Sequence, residues 1–343
     1  MAKMRSSDAL KDGIRRVYRA PVILACVFAV TVISALPLSL IMRGALRTHL
    51  GGSLAADQAA RGVNYLWWTE FQAQGGALAD TFETTIIGFA AVLDNLSTLL
   101  DAESRPPAIL WLGATYVLLW LFLAGGILDR YARARPTRSY EFFTACGVYF
   151  VRFLRMAPII ALTYYLLFAV VHPFLLEDLF DTFTRGVTVE RTAFLWRLGL
   201  YVVFGALVLL ASIVFDYAKA RAVIEDRRSM IGAVAAGVRF VRRNFAAVAS
   251  LYLLNGTMFV AVLVLYAVFA PGASLTGAGM WLGFALGQLY LLARLWVRLV
   301  FFASEISLFQ GRLAHSGYIA RAPVARPEPP IVSMLLESPT EES

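Results

Sequence analysis

Six stretches of this chain are almost unbroken apolar runs, and the polar positions collect in the gaps between them. The runs are Pro21 to Met42, Pro107 to Leu128, Met156 to Val171, Leu195 to Phe215, Phe245 to Ala270 and Met280 to Phe302. A helix of about 20 apolar residues crosses roughly 30 Å of hydrocarbon. The pattern therefore predicts an all-α polytopic membrane protein with six transmembrane helices. The third run is short and borrows a turn from the semi-polar stretch Phe142 to Arg155 before it. On this reading residues 1–320 are a single membrane domain with an external loop at 43–106. Residues 321–343, Pro-rich and finally acidic, have the composition of a disordered cytoplasmic tail. Within that tail Ile331 to Leu336 is a candidate docking segment.

The gaps are not equivalent. Alternate connections, residues 1–20, 129–155, 216–243 and 294–343, hold 24 of the 31 Lys and Arg residues, and the other set holds 7. Basic residues gather on the cytoplasmic side, so both termini are expected there. Aromatic residues favour the membrane interfaces, and Trp111, Trp196 and Trp281 each open an even-numbered run at its outer end. Tyr131 and Tyr217 close two of them at the inner end. The basic segment before the first run resembles the start of a signal peptide, but the run is too long for a typical signal core. An uncleaved first helix is expected. The stretch Thr81 to Leu100 is apolar too; if it crossed, every later connection would change sides and the charge asymmetry would collapse. Glu83 and Asp94 would share one helical face, so an amphipathic helix on the outer surface is expected, with a re-entrant segment as the alternative.

Composition agrees with this layout. A chain of 343 residues with 59% hydrophobic and only 16% charged residues, at a mean hydropathy of +0.68, cannot cover a water-soluble globule. The net charge of +8 would suggest nucleic acid in a soluble protein; in a membrane protein it points to the cytoplasmic rim, and no nucleic-acid partner is expected. Cys26 and Cys146 form no disulfide framework or CxxC motif, and His49, His172 and His315 lie too far apart for a metal cluster.

A short word is said twice. YARAR at Tyr131 to Arg135 and YAKAR at Tyr217 to Arg221 are 86 residues apart. Trp111-Leu112-Gly113, Arg197-Leu198-Gly199 and Trp281-Leu282-Gly283 are spaced by 86 and 84 residues. GVYFVR at Gly147 to Arg152 recurs as GVRFVR at Gly237 to Arg242, and Gly13 to Arg19 is a degenerate copy. The unit is an amphipathic cytoplasmic helix, an outward span, an external connection and an inward span, giving three pseudo-repeated hairpins. The third copy ends differently, on Arg294, Arg298 and Glu305. The mitochondrial carriers also have three hairpins, but their Pro-x-Asp/Glu-x-x-Lys/Arg signature is missing here.

The segment AKARAVIEDRRSMIGAVAAGVRFVRRNF, Ala218 to Phe245, resembles the cytoplasmic connection of bacterial membrane proteins related to the membrane domain of glycerophosphodiester phosphodiesterases. The resemblance implies an acidic residue before an amphipathic helix that ends in a basic turn and the next span. It implies no hydrolysis, since the phosphodiesterase barrel would need roughly 250 residues.

Arg294 and Arg298 are the most unusual residues, one turn apart on the same face of the sixth run. They are candidates for an anionic head-group site, with Asp216 or Asp129 as an ionic partner. Snorkelling to the interface is the plainer use of the same residues. Asn255 and Gln288, with Thr163, Tyr165 and Thr257, are a candidate mid-membrane polar cluster, or simply interhelical hydrogen bonds. Gly279, Gly283 and Gly287 make a GxxxGxxxG stripe for close helix packing, within the bundle or between copies. Trp67 to Phe71 has the aromatics and carboxylate of a ligand groove, yet packing onto the membrane surface would use the same side chains. No GxSxG, HExxH or P-loop motif occurs, so no enzyme activity, metal or cofactor is expected. The sequence thus reads as a non-catalytic protein of a bacterial-type inner membrane, either a lipid-interacting or an assembly component. Its basic rim would engage anionic lipid, a protein partner or a second copy. A permease for an uncharged or amphipathic solute is the alternative, and it requires a continuous polar path through Gln288 and Asn255.

Overall fold

The computed structural model describes residues 4–61, 64–79, 87–102, 107–270 and 277–312. Every regular element among them is helical: α1 (Ser6–Tyr18), α2 (Pro21–Leu50), α3 (Ala55–Arg61), α4 (Tyr65–Ala79), α5 (Gly88–Leu100), α6 (Pro107–Arg133), α7 (Ser139–Leu166), α8 (Phe180–Thr184), α9 (Glu190–Ile224), α10 (Met230–Arg243), α11 (Phe245–Phe269) and α12 (Ala278–Arg312). Among the described residues five helices are long and apolar enough to cross a membrane: Pro21–Leu50, Leu110–Arg133, Ser139–Thr184, Glu190–Ile224 and Phe245–Phe269. The chain is an all-α polytopic membrane protein. The sixth run lies within α12, whose 35 residues are also long enough to cross but whose apolar stretch is broken by Arg294 and Arg298.

The third run is not short. Met156 to Val171 is the middle of one continuous rod, Ser139–Thr184, of 46 residues. It passes through two wide π-helical turns, Leu167–Val171 and Phe174–Leu179, before α8. These turns flank Pro173, which has no N–H to give to the preceding turn. The expected external loop is largely helical as well, holding the last turns of α2 together with α3, α4 and α5. In α4, Trp67 stacks on Phe71 with ring centroids 5.5 Å apart and donates from Nε1 to His49 Nδ1 of α2 at 3.0 Å. The Trp67 to Phe71 segment therefore packs. Helix α5 covers the later part of the expected surface helix; residues 81–86 lie outside the described residues, as do His315 and the whole tail with Ile331 to Leu336. The last residue of α5, Leu100, packs on the bundle. A Cβ on Gly205, at the centre of the fourth run, would sit 3.8 Å from Leu100, and the Leu100 carbonyl accepts from His172 Nε2 at 2.7 Å.

The buried core lies at one end, where α1, α10, the start of α7 and the ends of α6, α9 and α12 meet. Tyr131, Phe153, Tyr217, Leu251, Leu299 and Phe309 are fully buried there. Most Lys and Arg of the described residues also belong to this end, which we call the basic end. Away from it, large apolar side chains such as Trp111, Phe269 and Trp281 stand exposed, as they do where the solvent is hydrocarbon.

Small residues let the amphipathic helices seat closely on the span ends. A Cβ on Gly126 of α6 would come 2.5 Å from Cys146 Sγ of α7, and one on Gly237 of α10 would come 3.0 Å from the Val214 carbonyl of α9. The N-terminal helix closes the ring on the last one: a Cβ on Gly13 of α1 would lie 2.7 Å from the Ser304 amide nitrogen of α12. Around that contact Arg16 reaches the Tyr131 carbonyl at 2.6 Å and Gln310 Oε1 at 2.9 Å, while Ser307 donates to Asp12 at 2.8 Å. Because backbone cannot yield as a flexible side chain does, Gly13→Val is expected to cost about 1–3 kcal/mol. It should also free α1 for limited proteolysis in micelles at protease levels that leave the natural chain intact.

Candidate functional site

Helix α12 carries the polar residues that its neighbours do not neutralise. Arg294 and Arg298, one turn apart, line a cavity of about 430 Å³ between α2, α6, α11 and α12, with Thr31, Tyr116, Phe259 and Phe301 among its walls. The Arg298 guanidinium sits 3.7 Å from the centroid of the Trp120 ring, a cation–π contact that fixes the head without supplying a counter-charge. Opposite, Thr31 Oγ1 and Tyr116 Oη are 3.3 Å apart. Neither arginine has a carboxylate at ion-pair distance among the described residues. Two unpaired guanidinia beside a cavity within an apolar run are costly unless something anionic or wet fills it.

Across Phe301 lies a second space. A groove of about 780 Å³ runs between α9 and α11, walled by Leu207, Leu210, Ile213, Leu253 and Val260, with Phe301 and Tyr252 at its floor. Its lining is almost wholly apolar and faces the exposed flank of the bundle. Phe301 is common to both spaces, and the Tyr252 ring meets it edge-on at 5.3 Å.

The two carboxylates expected beside the arginines are engaged elsewhere. Asp216 holds Lys219 Nζ at 2.6 Å and accepts from Tyr252 Oη at 3.1 Å. Asp129 pairs with Arg133 Nε at 2.9 Å, and both side chains are buried. The i,i+4 and i,i+3 spacings supply each acid with a basic neighbour on its own helix.

The expected mid-membrane cluster is not assembled. Asn255 is buried and its Nδ2 donates to the Leu251 carbonyl and to Ser304 Oγ, each at 3.1 Å. Ser304 stands about 24 Å along α12 from Gln288 at 1.5 Å per residue, so the two amides are not level. Thr163 bonds back to Ile159 of its own helix at 2.8 Å, Tyr165 is exposed on the outer flank, and Thr257 bonds back to Leu253 at 2.9 Å. In the glycine stripe Gly279, Gly283 and Gly287 are half-buried. A Cβ on Gly287 would meet only Ile87, beside α5, at 3.8 Å, so at that position the stripe admits a short helix rather than a long one.

Sequence reading missed the partners of Asp216. Lys219, Tyr252 and Glu305 form a group with it at the basic end of the cavity; Glu305 is buried, and Tyr252 Oη bonds to its Oε1. The signal was present in the acid at the foot of the third hairpin and in the Asp-x-x-Lys spacing of YAKAR. Away from both spaces, the Tyr201 hydroxyl bonds to Asp101 and holds its exposed carboxyl below the ordinary value near 3.8; Ser97 and Arg197 act in the same sense, against a slight desolvation. That contribution is present above the unfolded-state value and is lost as pH falls through the folded one.

Fold and site together define a polytopic α-helical membrane protein with an arginine-lined cavity beside an apolar groove. No family model, no curated protein and no solved structure matches the chain. The likeness of Ala218 to Phe245 to the phosphodiesterase-linked membrane proteins therefore rests on those residues alone. In α10 they form an amphipathic helix capped by Ser229 Oγ, which accepts from the Gly232 amide at 3.3 Å, with Arg242 and Arg243 in its last turn.

Proposed function

We propose that this chain is a non-catalytic, lipid-interacting protein of a bacterial-type inner membrane, and that its ligand is an anionic amphiphile. The basic end faces the cytoplasm. The observation that carries this reading is the pair Arg294 and Arg298: two guanidinia with no carboxylate partner among the described residues, on the wall of one cavity inside an apolar run. Guanidinium forks match phosphate and carboxylate oxygens, and Thr31 and Tyr116 add hydroxyls for the remaining ones. The groove across Phe301 suits the hydrocarbon part of the same molecule, since apolar walls open to the flank offer it no polar cost. The basic rim of α7 and α10 would add attraction to anionic leaflet lipids.

The test is native mass spectrometry of the protein released gently from its own membrane. One anionic amphiphile retained at a fixed stoichiometry is expected. A co-purifying protein without such a ligand would instead mark the chain as an assembly component and overturn the reading.

A further inference from the structure

The Tyr252 hydroxyl lies between two carboxyl groups, Asp216 Oδ2 at 3.1 Å and Glu305 Oε1 closer still. A phenol has one hydrogen to give. It can satisfy one carboxylate, and toward the other it presents only lone pairs. With both acids ionised, one of the two contacts would set anionic oxygen against phenol oxygen in a buried place, where an unmatched charge is most costly. Both contacts are hydrogen bonds only if one of the carboxyl groups carries a proton and donates it.

The surroundings decide which one. Asp216 has a counter-charge, Lys219 Nζ at 2.6 Å, and its side chain is 25% exposed. Glu305 is 2% exposed and has no cation at ion-pair distance among the described residues. The other elements against it bring none that is free. Helix α1 contributes Asp12 and Arg16, bonded to each other at 2.8 Å and to Ser307 and Gln310. Helix α9 contributes Tyr217 besides Asp216 and Lys219, helix α11 only Tyr252, helix α6 the buried Tyr131 and its Asp129–Arg133 pair, and α2 has no charged residue between Pro21 and Met42. On α12 itself Arg298 is held over Trp120, and Arg312 bonds to Asn244 and the Met4 carbonyl.

We infer that Glu305 is a proton-binding site, occupied at neutral pH, and that Tyr252 is its exchange route to Asp216. The Glu305 carboxyl donates to Tyr252 Oη, and Tyr252 donates to Asp216, whose charge Lys219 balances. Transfer moves the Glu305 proton to Tyr252 Oη while the phenol proton passes to Asp216 Oδ2. The O–H bond broken at each donor is remade at the next acceptor, no charge is created, and the proton ends on the acid with the more exposed side chain. This site lies beyond the lipid reading, because it uses neither arginine and requires no ligand in the cavity.

The experiment is infrared spectroscopy of the full chain in vesicles of neutral phosphatidylcholine at pH 7, comparing the natural protein with Glu305→Gln and Asp216→Asn. The C=O stretch of a protonated carboxyl group should be present in the natural protein, lost in Glu305→Gln and kept in Asp216→Asn. Tyr252→Phe should keep the band but slow its hydrogen–deuterium shift by at least tenfold. Glu305→Gln, isosteric with the protonated acid, should fold with a thermal midpoint close to the natural one. A band that survives in Glu305→Gln, a band lost instead in Asp216→Asn, or a Glu305→Gln variant that fails to fold would each overturn the assignment.

Discussion

Replacing Arg294 and Arg298 together by Gln should abolish selective retention of anionic amphiphile while leaving the helical fold intact. Gln keeps length and some hydrogen bonding but loses the charge and the planar fork. If each guanidinium gives one charge-assisted hydrogen bond of about 1.5 kcal/mol, the pair contributes about 3 kcal/mol, or roughly 100-fold in affinity. Neither arginine forms an ion pair among the described residues that the change would break, so little loss of stability is expected. Arg298→Gln should show the additional loss of the contact over Trp120. Retention of anionic against zwitterionic lipid, read by native mass spectrometry on the same preparations, checks this. Unchanged selectivity would leave the arginines as snorkelling residues.

Asp129→Asn should have the opposite profile, with a large loss of stability and no change in lipid selectivity. Asp129 and Arg133 have side-chain exposures of 4% and 6%, and Arg133 Nη1 has no other partner. Removing one member of a buried pair leaves an uncompensated charge, a loss of about 3–5 kcal/mol. The double change Asp129→Leu with Arg133→Leu should recover much of that, because desolvation offsets most of what such a pair contributes. Reversible unfolding in mixed micelles would measure both. A mild effect of Asp129→Asn alone would mean that the pair is wetter than its burial indicates.

These outcomes separate what the sequence made legible from what it hid. The apolar runs are long signals with one physical cause, hydrocarbon thickness, and each coincides, to within a residue, with part of a long helix. The i,i+4 spacing of Arg294 and Arg298 was equally legible, because helix geometry alone puts them on one face, and they do share a cavity. Lateral register between helices was not. Asn255 and Gln288 looked level when each was measured from the end of its own run. The Asn244–Arg312 bond and the seating of α1 on Ser304 instead slide α12 along α11 and set Asn255 against Ser304. The third run, ended at Val171, looked short, whereas two π-helical turns carry the helix onward past Pro173. Asp216 and Asp129 pair instead with close neighbours on their own helices, Lys219 and Arg133, which helix spacing alone brings within reach. Glu305 with Tyr252 joins two helices, α12 and α11, whose register no local pattern encodes.

The arginine cavity is tested most directly by an electron cryomicroscopy map of the protein in a disc of its native lipids. The account predicts phosphate- or carboxylate-like density within hydrogen-bonding distance of both guanidinia, with a hydrocarbon tail crossing Phe301 into the groove between α9 and α11. A cavity holding only water, with both arginine heads turned toward the basic end, would contradict it.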